Sequence, residues 1–200
     1  MALGKIELCN RALAEIKRGA IQTLVEASPQ AAKCALYYPV VLRELLHGTD
    51  WSFARVTVDL AEHAQEPSAD WGYRYALPND PVLVVPRCVL TTNYPRTGPP
   101  IEYEIETLTD LSGKSLLADV SPAQLTYTYL CDDPSLYDPL FETAFVKRLA
   151  SDLAKALNTD DRMQIQLLQE YRFWLGEARV ADSAARHIER PEPGGIAARA

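Results

Sequence analysis

Glu102, Glu104 and Glu106 alternate with Ile101, Tyr103 and Ile105. On a strand this period of two puts three carboxylates on one face, about 7 Å apart. There they could seat a cation or raise one carboxyl for acid–base work. No histidine lies nearby in sequence to complete such a site, so a solvated or channel-facing strand face is the preferred reading. Leu111-Ser-Gly-Lys-Ser115 carries the end of a phosphate loop, but Leu108 stands where the P-loop needs its first glycine. Leu116-Leu117-Ala118 then reads as strand, so a hairpin turn is expected here. His47 falls in the last turn of a helix, His63 in a loop and His187 near the C-terminal tail. A triad with Ser52 or Ser115 can be drawn on paper, yet no nucleophile-elbow sequence supports it. Cys9, Cys34, Cys88 and Cys131 form no CxxC pair, which argues against zinc and for buried, reduced thiols of a cytoplasmic chain. No catalytic, cofactor or metal site is expected.

The remaining chemistry is aromatic. Trp71, Tyr73 and Tyr75 would share one strand face, and Tyr127 and Tyr129 show the same alternation. A platform for stacking nucleic-acid bases would interleave basic side chains, but Arg74 is the one base in the first run. Residues 51–131 carry ten acidic side chains against five basic ones, net −5, which repels phosphate. Rings filling a small β core are expected, with a protein–protein contact as the other reading.

These residues need a scaffold, and the periodicity supplies one. Ile6, Cys9, Leu13 and Ile16 recur at helical spacing over Gly4–Arg18, with Gly19 as the break. Ser28 as N-cap and Pro29 at the first position open a second helix reaching His47, with Gly48 as the C-cap and Pro39 expected to kink it. From Trp51 the period changes to two. Strands are predicted from there and over 71–76, 82–90, 101–107, 114–118 and 125–131, with Pro86 marking an edge strand or bulge. Phe141, Phe145, Leu149 and Leu153 return to the helical period after Ser135. Asn158 and Thr159 are candidate caps of a tight turn into a last helix, carrying Leu168, Tyr171, Leu175 and Ala178, which implies an antiparallel α-hairpin.

The expected fold class is α+β: an antiparallel helical bundle formed by the N- and C-terminal helices, with an inserted antiparallel β region. The divisions are 1–50 and 132–186 for the bundle, 51–131 for the β region and 187–200 for an extended tail. Of the 200 residues 48% are hydrophobic and 24% charged; the net charge is −7 and the sequence pI about 5.0. That balance is ordinary for a globular chain and speaks against gripping DNA as the main task. No run approaches the roughly 18 apolar residues of a membrane span. The opening MALGKIELCNRALAEIKRGA is charged throughout, unlike a secretory signal.

Several stretches together resemble a known family. They are Leu8-Cys-Asn-Arg-Ala-Leu13, Leu42-Arg-Glu-Leu-Leu46, Asp50-Trp-Ser-Phe-Ala-Arg55, Trp71-Gly-Tyr-Arg-Tyr-Ala-Leu-Pro-Asn-Asp80, Tyr137-Asp-Pro-Leu-Phe141, Leu149-Ala150 and Leu153-Ala154. In order and spacing, over roughly 3–185, they resemble the phage head-to-tail adaptor group, which includes tail tubular protein A and related tail accessory factors. The resemblance implies a virion connector: a homo-oligomeric ring, commonly a dodecamer of about twelve copies, beneath the portal and surrounding the DNA exit channel. The implied partners are the portal protein, the downstream tail protein, further copies of the chain, and transiting double-stranded DNA passed without specific binding. No membrane is involved. The implied location is the neck or tail of the virion, with the host cytoplasm during assembly.

By this resemblance the C-terminal segment reaches the portal, and Arg186, His187, Ile188, Arg190, Pro191, Ile196 and Arg199 become candidate portal contacts. Its prolines and glycines disfavour helix, and its arginines suit acidic surfaces. Glu102, Glu104 and Glu106 become candidate acidic residues facing the channel. About twelve copies at −7 each would carry about −84 formal charges, which repel phosphate at short range. Two other readings remain: an intracellular enzyme with an unrecognised site, which requires a deep pocket with perturbed titratable groups, and an adaptor or chaperone of another assembly.

Overall fold

A computed structural model describes residues 4–68, 70–91, 101–157 and 161–185. Helix α1 spans Lys5–Glu15 and buries Leu8, Cys9, Ala12 and Leu13. Its stop lies ahead of the expected Gly19. The Lys17 N–H bonds the Ala14 carbonyl and the Arg18 N–H bonds the Leu13 carbonyl, a Schellman closure. Lys17 holds the left-handed position at φ 56°, a place more often taken by glycine. The chain is then tied back by Asn10, whose side-chain amide donates to the Ile21 carbonyl at 3.0 Å and accepts from the Ile21 N–H at 2.8 Å.

Helix α2 spans Pro29–Gly48. The Ser28 hydroxyl accepts from the Ala31 N–H, and Pro29 brings a fixed φ where no donor is needed. The helix runs through Pro39 and takes in Gly48, so Thr49 is the cap. The residues after Trp51 begin with a 3₁₀ turn, Ser52–Ala54, before strand β1 (Arg55–Asp59). The indole explains the delay: Trp51 is fully buried and its Nε1 donates to the Leu45 carbonyl at 2.9 Å, which holds the backbone against the end of α2.

Five further strands follow: β2 (Tyr73–Ala76), β3 (Leu83–Leu90), β4 (Tyr103–Thr107), β5 (Lys114–Ala118) and β6 (Gln124–Tyr129). They make two antiparallel sheets, ordered β1-β6-β3 and β2-β5-β4. Bridges Val89↔Ile101 and Glu62↔Tyr75 join the sheets along both edges, so the six strands close into a small barrel. Pro86 sits between two register shifts in the β3–β6 ladder, where its missing N–H costs no regular bond. Val56, Val58, Val89, Leu125 and Tyr127 from one sheet meet Tyr75, Tyr103, Ile105, Leu116 and Ala118 from the other inside the barrel.

Helix α3 spans Pro139–Ala156 and α4 spans Asp161–Ala185. The Tyr137-Asp-Pro stretch starts α3: the Asp138 carboxylate accepts from the Leu140 N–H, and Pro139 follows at the first position. α3 is the central helix, packing against α1, α2 and α4. Lys147 reaches Glu170 across the α3–α4 pair and Glu15 on α1. The chain is thus an α+β fold, with helices from both ends sharing one core and the strands inserted between them. Trp51, Phe53, Tyr137 and Phe141 cluster in that core, with ring centroids 4.8–6.1 Å apart. Each fully buried Leu or Phe contributes about 1.5–3 kcal/mol.

Candidate functional site

The acidic strand lies on the outside of the barrel. Tyr103 and Ile105 point into it, so the alternate residues Glu104 and Glu106 point outward, while Glu102 is exposed just ahead of β4. Two of the three are engaged. Trp71 Nε1 donates to Glu104 at 3.2 Å, and Glu106 accepts from Arg74 at 2.7 Å and from the Ser68 hydroxyl at 3.4 Å. The row is therefore less bare than its spacing suggests, because one of its negative charges balances a buried cation.

That cation is the main feature the sequence concealed. Arg74 is only 5% exposed. Its guanidinium donates to Ser115 Oγ at 2.6 Å, to the Glu66 carbonyl at 3.0 Å and to Glu106. Loop 62–68 closes over it, bonded to β2 through the His63 N–H and the Arg74 carbonyl at 2.8 Å. A buried guanidinium is tolerable only with its donors matched. In the sequence Arg74 stands out as the lone base among rings; its depth follows from loop closure, which no local pattern reports.

The aromatic run divides. Tyr75 and Tyr127 fill the barrel, with hydroxyls donated to the Val120 and Pro81 carbonyls at 2.6 and 2.9 Å. Tyr73 is partly exposed and stacks beside Tyr75, with centroids 6.3 Å apart. Trp71 lies before β2, so it does not share the strand face predicted for it. Leu111–Ser115 runs from the β4–β5 turn into β5: the Leu108 N–H bonds the Gly113 carbonyl, Ser112 donates to Asp110, and Ser115, already in β5, serves Arg74.

The titratable groups are explained by packing. Tyr137 donates to the Cys131 carbonyl at 2.8 Å, and burial pushes its pKa up. Burial and the neighbouring Cys131 thiol raise Tyr129 to about 12. Cys9, in the core beside Cys34, is raised by its hydrogen bond to that thiol and by burial. All four cysteines are free; Cys9, Cys34 and Cys131 are buried and Cys88 half-buried. His63 Nδ1 accepts from the Gln65 N–H, and His47 lies in the last turn of α2. Among the described residues no group of three or more His, Cys, Asp and Glu could hold a metal ion, and no helix is long and apolar enough to cross a membrane.

The barrel meets the bundle at a polar neck. Arg87 of β3 donates to the carbonyls of Leu46 and Thr49 at 3.1 and 2.8 Å, and to Thr128 Oγ1 at 2.8 Å. Arg179 of α4 donates to Thr49 Oγ1 at 2.8 Å, and Asp182 accepts from Ser52 through both its N–H and hydroxyl. Two guanidinium groups thus serve the free carbonyl end of α2, where positive charge is favoured. Two open grooves of about 350 Å³ flank α2, one against Val82–Val84 and the other against Leu130 and Asp132, both including Arg43. The helices also expose apolar side chains: Leu36 and Val40 on α2, and Ile165, Phe173 and Val180 on α4.

The tail candidates Arg186, His187, Ile188, Arg190, Pro191, Ile196 and Arg199, like Asn158 and Thr159, lie outside the described residues. No protein-family model matches the chain, and no curated protein matches its sequence.

Proposed function

We propose that this chain is a structural subunit of a phage head-to-tail adaptor ring, bridging the portal to the downstream tail protein and surrounding the DNA exit channel. It would work in the virion neck after assembling in the host cytoplasm. The observation that carries the reading is where its resemblance motifs fall. Asn10 clamps the chain after α1, and Glu44 pairs with Arg148 across α2 and α3. Trp51, Ser52 and Arg55 form the neck, and Asp138 caps α3. Glu44 and Ser52 fix one element against another, while Asn10 and Asp138 set where helices end and begin, which suits a spacer loaded between two rings. The acidic outer strand and net charge of −7 suit a wall that DNA passes without adhering.

The test is electron microscopy of the full chain, alone and mixed with portal rings from the same genome. Added density as a ring at one end of the portal is expected; portals unchanged at high concentrations of the chain would end the proposal. Deleting residues 187–200 is expected to abolish portal binding while the thermal melt of the rest stays the same. Unchanged binding would remove the tail from the interface.

A further inference from the structure

Helix α4 turns an uncharged stripe to the outside. Ile165, Gln169, Phe173, Gly176 and Val180 follow at helical spacing, and all five are exposed, Ile165 by 58%, Phe173 by 60% and Val180 by 68%. The opposite face is the one that packs: Leu167 and Ala178 are buried, and Tyr171 and Leu175 lie against the bundle core. A Cβ placed on Gly176 would meet nothing within 4 Å, so there is open space at the middle of the stripe. Arg172 and Glu177 border it on opposite sides. Among the described residues neither side chain has an ion-pair or hydrogen-bond partner.

We infer that this face pairs with the same face of a second copy, the two α4 helices running parallel about a two-fold axis. In heptad terms Phe173 and Val180 take a positions, and Gln169 and Gly176 take d positions. Arg172 is then a g residue and Glu177 the e residue that follows five positions later. Parallel pairing sets Arg172 of each copy against the partner's Glu177, twice by symmetry. Antiparallel pairing would instead set Arg172 beside the partner's Arg179 and Glu177 beside the partner's Glu170, side chains of the same sign that the bundle already holds through Thr49 and Lys147, so neither outer charge would gain an opposite partner. Charge thus selects the direction. Gly176 lets the backbones approach beside the Phe173 rings, Ile165 flanks the seam as a g residue, and the seam from 166 to 180 is about 21 Å long.

A two-fold contact is closed and stops at two copies, whereas a ring needs a head-to-tail contact. The pairing is therefore independent of the connector reading and describes the free chain. Where a ring does form, the pair must first part.

Sedimentation velocity of the full chain from about 1 to about 500 µM tests it, a range that brackets weak pairing. A reversible monomer–dimer equilibrium is expected. Phe173→Ser raises its Kd by about tenfold or more, since a central aromatic carries much of such a contact. Arg172→Glu and Glu177→Arg each raise it several-fold, and the double variant returns it towards the starting value because the pair re-forms with its signs exchanged. Circular dichroism and thermal melts identical to the parent show that these exposed changes leave the fold intact. A monomer throughout the range, single charge reversals without effect, a double variant no better than the singles, or growth beyond two copies would each overturn the inference.

Discussion

The helical bundle and the barrel are parts of one chain held together in different ways. In the bundle Leu8, Leu13, Leu42, Leu46, Trp51, Phe141 and Phe145 are sealed from water, and the ion pairs lie at the margins of that core, part-buried, with Glu142 buried against Arg11. In the barrel the sealed interior is smaller, and part of the structure depends on polar groups beneath a loop: Arg74, Ser115 and Glu106. Apolar burial is non-directional and scales with area. A buried guanidinium is favourable only while its donors find acceptors. The bundle should therefore respond to lost volume, and the barrel to one missing partner.

The largest effect is expected in the bundle. Trp51→Ala removes a buried indole and its bond to Leu45, and should cost about 3–5 kcal/mol in denaturant titration. A loss under about 1 kcal/mol would mean that the aromatic cluster is not the keystone of that core. Next is Arg74→Met, which should cost about 2–4 kcal/mol, because Ser115 and the Glu66 carbonyl lose their partner while Glu106 can turn to water. Its mark is local: amide exchange should quicken in β2 and β5 and stay slow in α3. Equal acceleration in both would erase the distinction drawn between the two regions.

The junction comes third. Arg87→Ala frees the carbonyls at the end of α2 and should cost about 1–3 kcal/mol. Thermal unfolding should then broaden or divide, as barrel and bundle melt less cooperatively; a single transition as sharp as the parent's would show that apolar contact alone couples them. The smallest effect is at the perimeter. Hydrogen bonds from Lys147 and Gln166 hold the Glu170 carboxyl below its ordinary 4.5. A depressed carboxylate contributes stability that is complete above pH 4.5 and is lost as pH falls through its lowered folded value. Glu170→Gln should flatten the stability change between about pH 5 and about pH 3 by less than about 1 kcal/mol, since Glu170 is a third exposed. An unaltered slope would assign the acid response to other carboxylates.

Much of the α+β organisation is legible in the sequence. Ser28-Pro29 marked the start of α2 because capping is chemistry between neighbours in sequence. Pro86 marked irregular pairing because a residue without an N–H cannot serve a regular ladder. Where distant residues decide, local pattern misleads. Gly19 reads as the end of α1, but Lys17 adopts the left-handed turn and Asn10 anchors the chain at Ile21. Trp51 reads as the opening of a strand, yet its buried indole draws the next three residues into a 3₁₀ turn. The row of Glu102, Glu104 and Glu106 was visible as a pattern; the balancing of Glu106 by Arg74 was not, because the two residues are 32 positions apart.

By itself the sequence determined the identity of the helices, the approximate strands, the acidic balance and the buried stripes of α2 and α3, though on α1 and α4 it pointed to Ile6 and Leu168 where Leu8 and Leu167 are the sealed residues. Those properties depend on backbone sterics, hydrogen bonds between close neighbours and hydrophobic period, all of which act over a few residues. Only the tertiary structure decided that the strands close into a barrel, that Arg74 lies beneath a loop, that Arg87 and Arg179 hold the end of α2, and that the stripe from Ile165 to Val180 is left uncovered. Each of those depends on which distant segments come together, and that choice is settled by the shared free energy of the whole chain.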